Sequence, residues 1–292
     1  MMIKIKTAAK ADKEEILSFC SNTFNWGDYI DQVWDFWYGD RNGRLLVAEE
    51  SGSKKKIAVS HAAVCPDEKS VWLEGIRVHP DYRRSQIASK LIEKMLHYGR
   101  QKEARQASAI VAADNAASQR MMEKNSFEII SRWVFYSTAD RLRPRKSEAR
   151  LATARDIDAI WQYLNASEVY RLSAKMYVRS WHWYQLDRRA LQNLVGDQRV
   201  VVIGQRPVDG IAVINRTSYW TRKNILQVVY LDSTSLRSLR HLMSFVTNMY
   251  IADKFQHLQV ICHRSKSMTS VLEKFMTEEE EQFLLYNKVL VA

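Results

Sequence analysis

The chain has 292 residues, 46% of them hydrophobic and 26% charged, with only nine glycines and four prolines. That balance excludes a disordered or collagen-like chain and supplies apolar residues enough for two cores. The net charge is +11, yet lysines and arginines are spread along the chain with acids beside most of them, which argues against nucleic acid as a partner.

The start, Met1-Met-Ile-Lys-Ile-Lys-Thr7, lacks the apolar core of a signal sequence and reads as a strand over Ile3 to Thr7. Asp12 is placed to cap a helix with Ile16, Leu17 and Cys20 on one side. Asn25 to Asp28 reads as a turn, and Asp28 as the cap of a second helix with Ile30, Val33, Trp34 and Trp37 on its apolar face. Strands follow at Leu45 to Glu49 and Ile57 to Cys65, joined by the turn Ser51-Gly-Ser53, and at Ser70 to Val78. Ile87 to Gln101 is a helix with Leu91, Ile92, Met95 and Leu96 inward. Ala107 to Ala112 is a small-residue strand, Ala116 to Lys124 a helix, and Phe127 to Tyr136 one or two strands.

A basic segment, Arg141 to Lys146, reads as a solvated linker, and after it the pattern restarts. Arg150 to Trp161 echoes Ile3 to Ile16, a strand followed by an Asp-capped helix. Val169 to Leu186 reads as aromatic-rich helical sequence. Strands are expected at Val200 to Gly204, Gly210 to Ile214, Ile225 to Leu231, His257 to Cys262 and Phe283 to Val291. Helices are expected at Leu236 to Met249 and Met268 to Phe275, with the acidic run Glu278 to Glu281 a solvated turn.

Residues 76 to 89, Ile-Arg-Val-His-Pro-Asp-Tyr-Arg-Arg-Ser-Gln-Ile-Ala-Ser, carry the strongest functional signal. A strand ends at Val78, Pro80 breaks it, and a short basic loop runs into a helix that begins near Ile87. A loop entering a helix N-terminus presents unpaired N–H groups and the positive end of the helix dipole, and here Arg83 and Arg84 flank it. Such a loop suits a diphosphate or a similar anion.

These residues resemble the acyl-CoA loop of the GCN5-related N-acetyltransferases, the GNAT superfamily. That family follows a strand reading Val-x-Pro-x-x-Arg with Arg/Gln-x-x-Gly-x-Gly/Ala. Here Val78, Pro80, Arg83 and Ala88 match, and Gln86 stands where the family has glycine. A second family pattern, Asn-x-x-Ala-x-x-x-Tyr-x-Lys-x-Gly-Phe, corresponds to Asn115 through Phe127. Asn115, Lys124 and Phe127 match; Ser118, Met122 and Ser126 depart. The resemblance covers about residues 3 to 136. It implies an α/β (α+β) GNAT fold, a central mixed and mostly antiparallel sheet flanked by helices. It also gives the restart a meaning: a GNAT domain over 1–140, a linker over 141–149 and a degenerate GNAT-like domain over 150–292, the latter without a loop of the Gly-x-Gly/Ala kind.

The activity implied is transfer of an acetyl group from acetyl-CoA to a primary amine of a small molecule, an amino acid, a peptide or a protein. The resemblance gives the cofactor Arg83, Arg84, Ser85, Gln86, Ile87, Ala88 and Ser89 at its diphosphate. It gives Ile76, Arg77 and Val78 along the pantetheine arm, with the Val78 N–H as oxyanion donor, and Asn115 and Ser118 from the facing strand end. Period-two alternation sets Glu74 on the face of Ile76 and Val78, where it is the candidate base, with His61 and His79 as alternatives. The acceptor wall falls on Phe24 to Trp37, with Asp28, Tyr29 and Trp34 as substrate contacts; the bland alternative is an amphipathic helix with its tryptophans in the core. The family's tyrosine acid falls at Met122, leaving Tyr82 or water for that role. A reading as an acyl-CoA-binding or sensing module without turnover stays open beside the enzyme.

Other chemistries lack their residues. There is no Gly-x-Gly-x-x-Gly or Gly-Lys-Ser/Thr loop, and the adjacent Cys262-His263 has the wrong spacing for zinc, so no metal is expected. Three scattered cysteines suggest a reducing, cytoplasmic home, and no apolar run approaches the ~18 residues of a membrane span. The expected partners are acetyl-CoA and an amine acceptor, with a homodimer left open.

Overall fold

A computed structural model of the chain describes residues 2–21, 23, 27–138, 142–219, 222–276 and 281–290. The elements run β1 (Ile3–Thr7), α1 (Lys13–Cys20), α2 (Ile30–Tyr38), β2 (Gly43–Glu50), β3 (Lys56–Cys65), β4 (Ser70–Val78), α3 (Ile87–Gln101), β5 (Gln106–Ala112), α4 (Ala116–Lys124) and β6 (Glu128–Thr138). They continue with β7 (Arg150–Leu151), α5 (Ile157–Ala166), α6 (Glu168–Leu172), β8 (Met176–Arg179), β9 (His182–Gln185), α7 (Arg188–Gly196), β10 (Val200–Gly204) and β11 (Val208–Tyr219). The last are β12 (Arg222–Ser233), α8 (Leu236–Ala252), β13 (His257–His263), α9 (Lys266–Leu272) and β14 (Glu281–Val289). No helix among the described residues is long and apolar enough to cross a membrane.

The chain divides into two compact units, but not at a single point. One unit holds residues 1–111, 115–129 and 285–292; the other holds 112–114 and 130–284. In the first, β1 to β4 pair successively antiparallel, β5 joins β4 in parallel, and the end of β14 lies beside β5. The Leu290 N–H donates to the Arg105 carbonyl at 2.8 Å, and Asn287 Nδ2 donates to Ser108 Oγ at 2.9 Å.

Helices cover both faces of this sheet because neighbouring strand residues point to opposite sides. Ile16, Cys20, Ile30, Trp34 and Trp37 from α1 and α2 pack on Leu45, Val47 and Val59. On the other face α3 buries Ile87, Leu91, Ile92, Met95 and Leu96, and Gly99 lets the helix lie close on Val71.

The second unit builds its own sheet in the order β6, β13, β12, β11, β10, β7, with β12 and β13 parallel and the other pairs antiparallel. Its core sets Leu239, Leu242, Met243 and Val246 of α8 against Val201, Ala212, Val228 and Val260. The sequence echo is structural. In the first unit Asp12 Oδ2 accepts the N–H of Ala9 at 2.8 Å while Lys6 reaches Asp12 Oδ1 at 3.4 Å. In the second, Asp156 Oδ2 accepts the N–H of Thr153 at 2.8 Å while Arg150 takes both its oxygens at 2.7 and 2.8 Å. The same spacing thus fixes the same strand-to-helix entry twice.

Two expectations need correction, and a third, left between one strand and two, is resolved. Val169 to Leu186 is not one helix. It is the short α6 and a β8–β9 hairpin that pairs Tyr177 with Tyr184 and Val178 with Trp183. Ser180 and Trp181, both at positive φ (51° and 64°), make its two-residue turn. Phe127 to Tyr136 is a single strand, Glu128–Thr138. The basic linker has exposed side chains but a docked backbone, since the Arg145 N–H and C=O both bond the Asn248 side chain, at 2.9 and 2.7 Å. The turn at Asn25 and Trp26, residue Arg141 and most of the acidic run at Glu278 lie outside the described residues.

Candidate functional site

β4 and β5 pair only at Ser70–Gln106, Val71–Ala107 and Trp72–Ser108. Beyond Trp72 both strands continue without pairing each other, and a wedge opens between them. The N–H of His79 donates to the Ile57 carbonyl at 2.8 Å. Main-chain groups in an antiparallel ladder alternate in direction, so those of Val78 point away from β3 and into the wedge.

A bulge reshapes β4 at this point. Val78 pairs with Ala58 and Arg77 with Val59, but Glu74 pairs with His61, and Gly75 at φ 64° takes up the slack. Cross-strand partners share a face, so Glu74 and Arg77 lie on the side of Val59, toward α1 and α2, while Val78 lies on the α3 side. The alternation that put Glu74 on the face of Val78 is therefore wrong. The extra bulge residue inverts the pattern beyond it. A glycine inside a strand was the available signal.

The strand then enters the basic loop. Pro80–Tyr82 forms a 3-10 turn, Arg83 is extended, and Arg84 and Gln86 take left-handed backbone at φ 61° and 60°. Arg83, Arg84, Ser85 and Gln86 are exposed, whereas the Ile87 side chain plugs the core. Among the described residues the main-chain N–H groups of Arg84 to Ser89 meet no acceptor. They sit at the N-terminus of a 15-residue helix and turn toward solvent with its positive end. Gln86 therefore adopts the backbone that a glycine would supply. Ser126, at the family's other glycine, does the same with φ 61°.

Asn115 caps α4, its Oδ1 accepting the Ser118 N–H at 3.0 Å. The far end of α4 is tied to α3 by Asn125 Nδ2, which donates to Ser89 Oγ at 3.2 Å and to the Met121 carbonyl at 2.8 Å. Met122 is 1% exposed and belongs to the core. Tyr82 turns its hydroxyl to Glu50 Oε2 at 3.4 Å. The His79 Nδ1 accepts the Asp81 N–H at 3.3 Å, and its ring packs on Phe19 and Tyr82, which makes it a structural residue of the turn.

Glu74 is 17% exposed, with Oε1 2.8 Å from His61 Nδ1. Three residues away, Arg77 is bound to Asp28 through Nε at 2.7 Å and Nη2 at 3.1 Å, and its guanidinium lies 5.1 Å from the Tyr29 ring centre. Burial pushes the Tyr29 phenol above its ordinary range, with Arg77 opposing the shift. These contacts correct one expectation. The Asp28 side chain is 3% exposed and its carboxylate is committed to Arg77, so it is not an open acid for an acceptor. The bonds occupy the Arg77 side chain and do not involve its main chain on β4. Trp34, 1% exposed, sits in the core and lines no surface. Phe24, Asn25 and Trp26, also expected in the wall, lie outside the described residues. Cys20 is 1% exposed, and burial pushes its thiol up to about 12.

The mixed sheet flanked by helices, its wedge between two parallel strands and its loop-to-helix amides constitute the GNAT fold. Residues 13–127 match the acetyltransferase (GNAT) family. A histidine N-acetyltransferase of Oreochromis niloticus is 27% identical over 90 residues, 31% of this chain and 26% of that protein. An aminoglycoside N(6′)-acetyltransferase type 1 of Salmonella typhimurium is 32% identical over 72 residues, 25% of this chain and 50% of that protein. The matches thus span between 26% and 50% of the length of these relatives. Among solved structures, a GCN5-related N-acetyltransferase from Sphaerobacter thermophilus aligns with TM-score 0.64 at 12% identity, over 98% of this chain and 95% of that one. One from Kribbella flavida aligns with TM-score 0.50 at 16% identity, over 99% of this chain and 71% of that one. At these identities the likeness is one of fold.

Proposed function

We propose that the chain is an acetyl-CoA-dependent N-acetyltransferase acting on a primary amine of a small molecule, an amino acid, a peptide or a protein. One observation carries this reading. β4 parts from β5 after Trp72 and runs into a loop whose amides, Arg84 to Ser89, are unpaired at a helix N-terminus. Diphosphate oxygens suit those amides and the Arg83 and Arg84 side chains. The pantetheine amides suit the edge of β4 at Ile76 and Val78, as an added strand does, with Asn115 across the wedge.

Acetyl-CoA bound there supplies an activated acetyl thioester. The chain's own work is then twofold. The Val78 N–H is aimed to stabilise charge on the thioester oxygen. Glu74, at the bulge, removes the proton that keeps the amine from attacking. Met122 cannot donate a proton, so the thiolate leaves as such or takes one from water. The second unit is read as a degenerate companion. Its own bulge, in β11–β12, is flanked by the buried Val228 and Tyr230, and the Tyr230 hydroxyl donates to the buried Asp232 Oδ2 at 3.2 Å. This reading keeps residues 1–140 as the catalytic domain, 141–149 as the linker and 150–292 as the companion, which lends its last strand to the first unit.

Release of free thiol from acetyl-CoA across a panel of amines tests the reading. Turnover with at least one amine, slowed about a hundredfold or more by Glu74→Gln at unchanged acetyl-CoA affinity, supports it. Binding of acetyl-CoA with no thiol release from any amine supports the rival, an acyl-CoA-binding module, which draws on the buried methionine at the acid position.

A further inference from the structure

The Glu74 carboxylate is held from beneath by an assembly that the sequence does not single out. The His61 ring is fully buried and lies flat on Trp37, with ring centres 4.9 Å apart and an 11° tilt. Its Nδ1 faces Glu74 Oε1 at 2.8 Å, and its Nε2 faces Asp40 Oδ2 at 3.5 Å. Asp40 is anchored in turn, its Oδ1 accepting the N–H of Asn42 at 2.9 Å.

Two glycines make room for this stack. A Cβ on Gly43 would overlap Asp40 Oδ2 and His61 Nε2; one on Gly75 would overlap the Trp37 ring. The bulge that turns Glu74 to this face and the glycine that shapes it therefore also seat the histidine. The Tyr29 phenol also feels the Glu74 charge, and Arg77, bound to Asp28, lies on the same face of β4.

We propose that His61 positions and tunes the base of the acetyl transfer: its Nδ1–H holds Glu74 Oε1, fixing the carboxylate against the amine and stabilising its ionised form. This rests on the reading of Glu74 as base. A hydrogen bond to the charged form of an acid favours that form, so loss of the donor raises the pH at which the base becomes competent. A ring locked by stacking also spares the carboxylate the cost of finding its rotamer.

Two variants separate this from a merely structural role. His61→Leu keeps the volume and removes the donor; His61→Asn keeps a donor near the place of Nδ1. Thiol release with saturating acetyl-CoA is followed against pH for each. The Leu variant is expected to lose about ten- to a hundredfold in kcat, with its acid limb moved up by about one pH unit and acetyl-CoA affinity unchanged. The Asn variant should stay within about fivefold of the parent. His61→Leu added to Glu74→Gln should cost little more than Glu74→Gln alone, because the two act as one unit. Equal losses in both variants with no movement of the acid limb, or additive losses in the double variant, overturn the proposal. The ring 15N spectrum of His61 gives a readout free of turnover: a protonated Nδ1 whose signal shifts in Glu74→Gln is expected, and an unshifted signal overturns the contact. If Glu74→Gln turns over at the parental rate while the 15N shift is present, the base assignment has failed and the contact has not.

Discussion

Gln86→Gly is the sharpest probe of the loop proposed to hold the diphosphate. Gln86 is exposed and its side chain makes no capping bond, so truncation removes no contact, yet its backbone sits at φ 60°, ψ 14°. A left-handed non-glycine residue costs about 1–2 kcal/mol. Glycine gives back about 0.5–1 kcal/mol through the extra freedom of its unfolded chain. The net expectation is a stabilisation of about 0.5–1 kcal/mol. In a chain of this size that is about 1–3 °C in Tm. Removing the side chain beside the unpaired amides should also tighten acetyl-CoA binding. Urea unfolding and calorimetric titration of parent, Gln86→Gly and Gln86→Ala measure both effects. Alanine keeps the left-handed strain and should show no stabilisation. A glycine variant less stable than the parent by more than about 1 kcal/mol, with no gain in affinity, would refute the argument that Gln86 is a strained stand-in for glycine.

Arg83→Glu reverses a charge beside the loop amides and should weaken acetyl-CoA binding about tenfold or more at unchanged fold, read by the same titration. Asp28→Ala takes its carboxylate from the buried Arg77 guanidinium, so stability should fall by about 3–5 kcal/mol; adding Arg77→Met should recover much of it, and a double-mutant cycle by urea unfolding reads the coupling. Asp156→Asn should destabilise the second unit by about 1–2 kcal/mol at neutral pH. The bonds from Arg150 hold the Asp156 carboxyl well below its usual range despite its burial. Its stabilisation is complete above the unfolded carboxylate value of about 4 and is lost as pH falls below it. The gap between parent and variant should therefore begin to narrow below about pH 4 and keep narrowing until the pH falls through the depressed folded value.

Much of the fold was legible because periodicity reports burial. The α3 pattern of Leu91, Ile92, Met95 and Leu96 faces inward as read, and the repeated Lys6–Asp12 and Arg150–Asp156 spacing marks two copies of one entry motif. The turn from β4 into α3 was legible for the same local reason, since strand end, proline and helix start lie in order along the chain. Two things were hidden. The face of Glu74 depends on a bulge, and one inserted residue reverses every later alternation. The companions of Glu74 come from elsewhere in sequence, Asp40 and Gly43 before β3 and His61 within it, so no spacing rule brings them together. The β8–β9 hairpin escaped because Ser180-Trp181 carries none of the usual Asn-Gly or Asp-Gly turn signal. The return of the last strand to the first unit escaped because strand pairing between distant segments leaves no local trace.

Titrating acetyl-CoA into the 15N-labelled chain and following its amide signals tests the central claim most directly. The account predicts that the largest shifts fall on Val78 and on Arg84 to Ala88 and saturate at one ligand per chain. Unmoved signals at those residues, or shifts confined to residues 150–292, would contradict it.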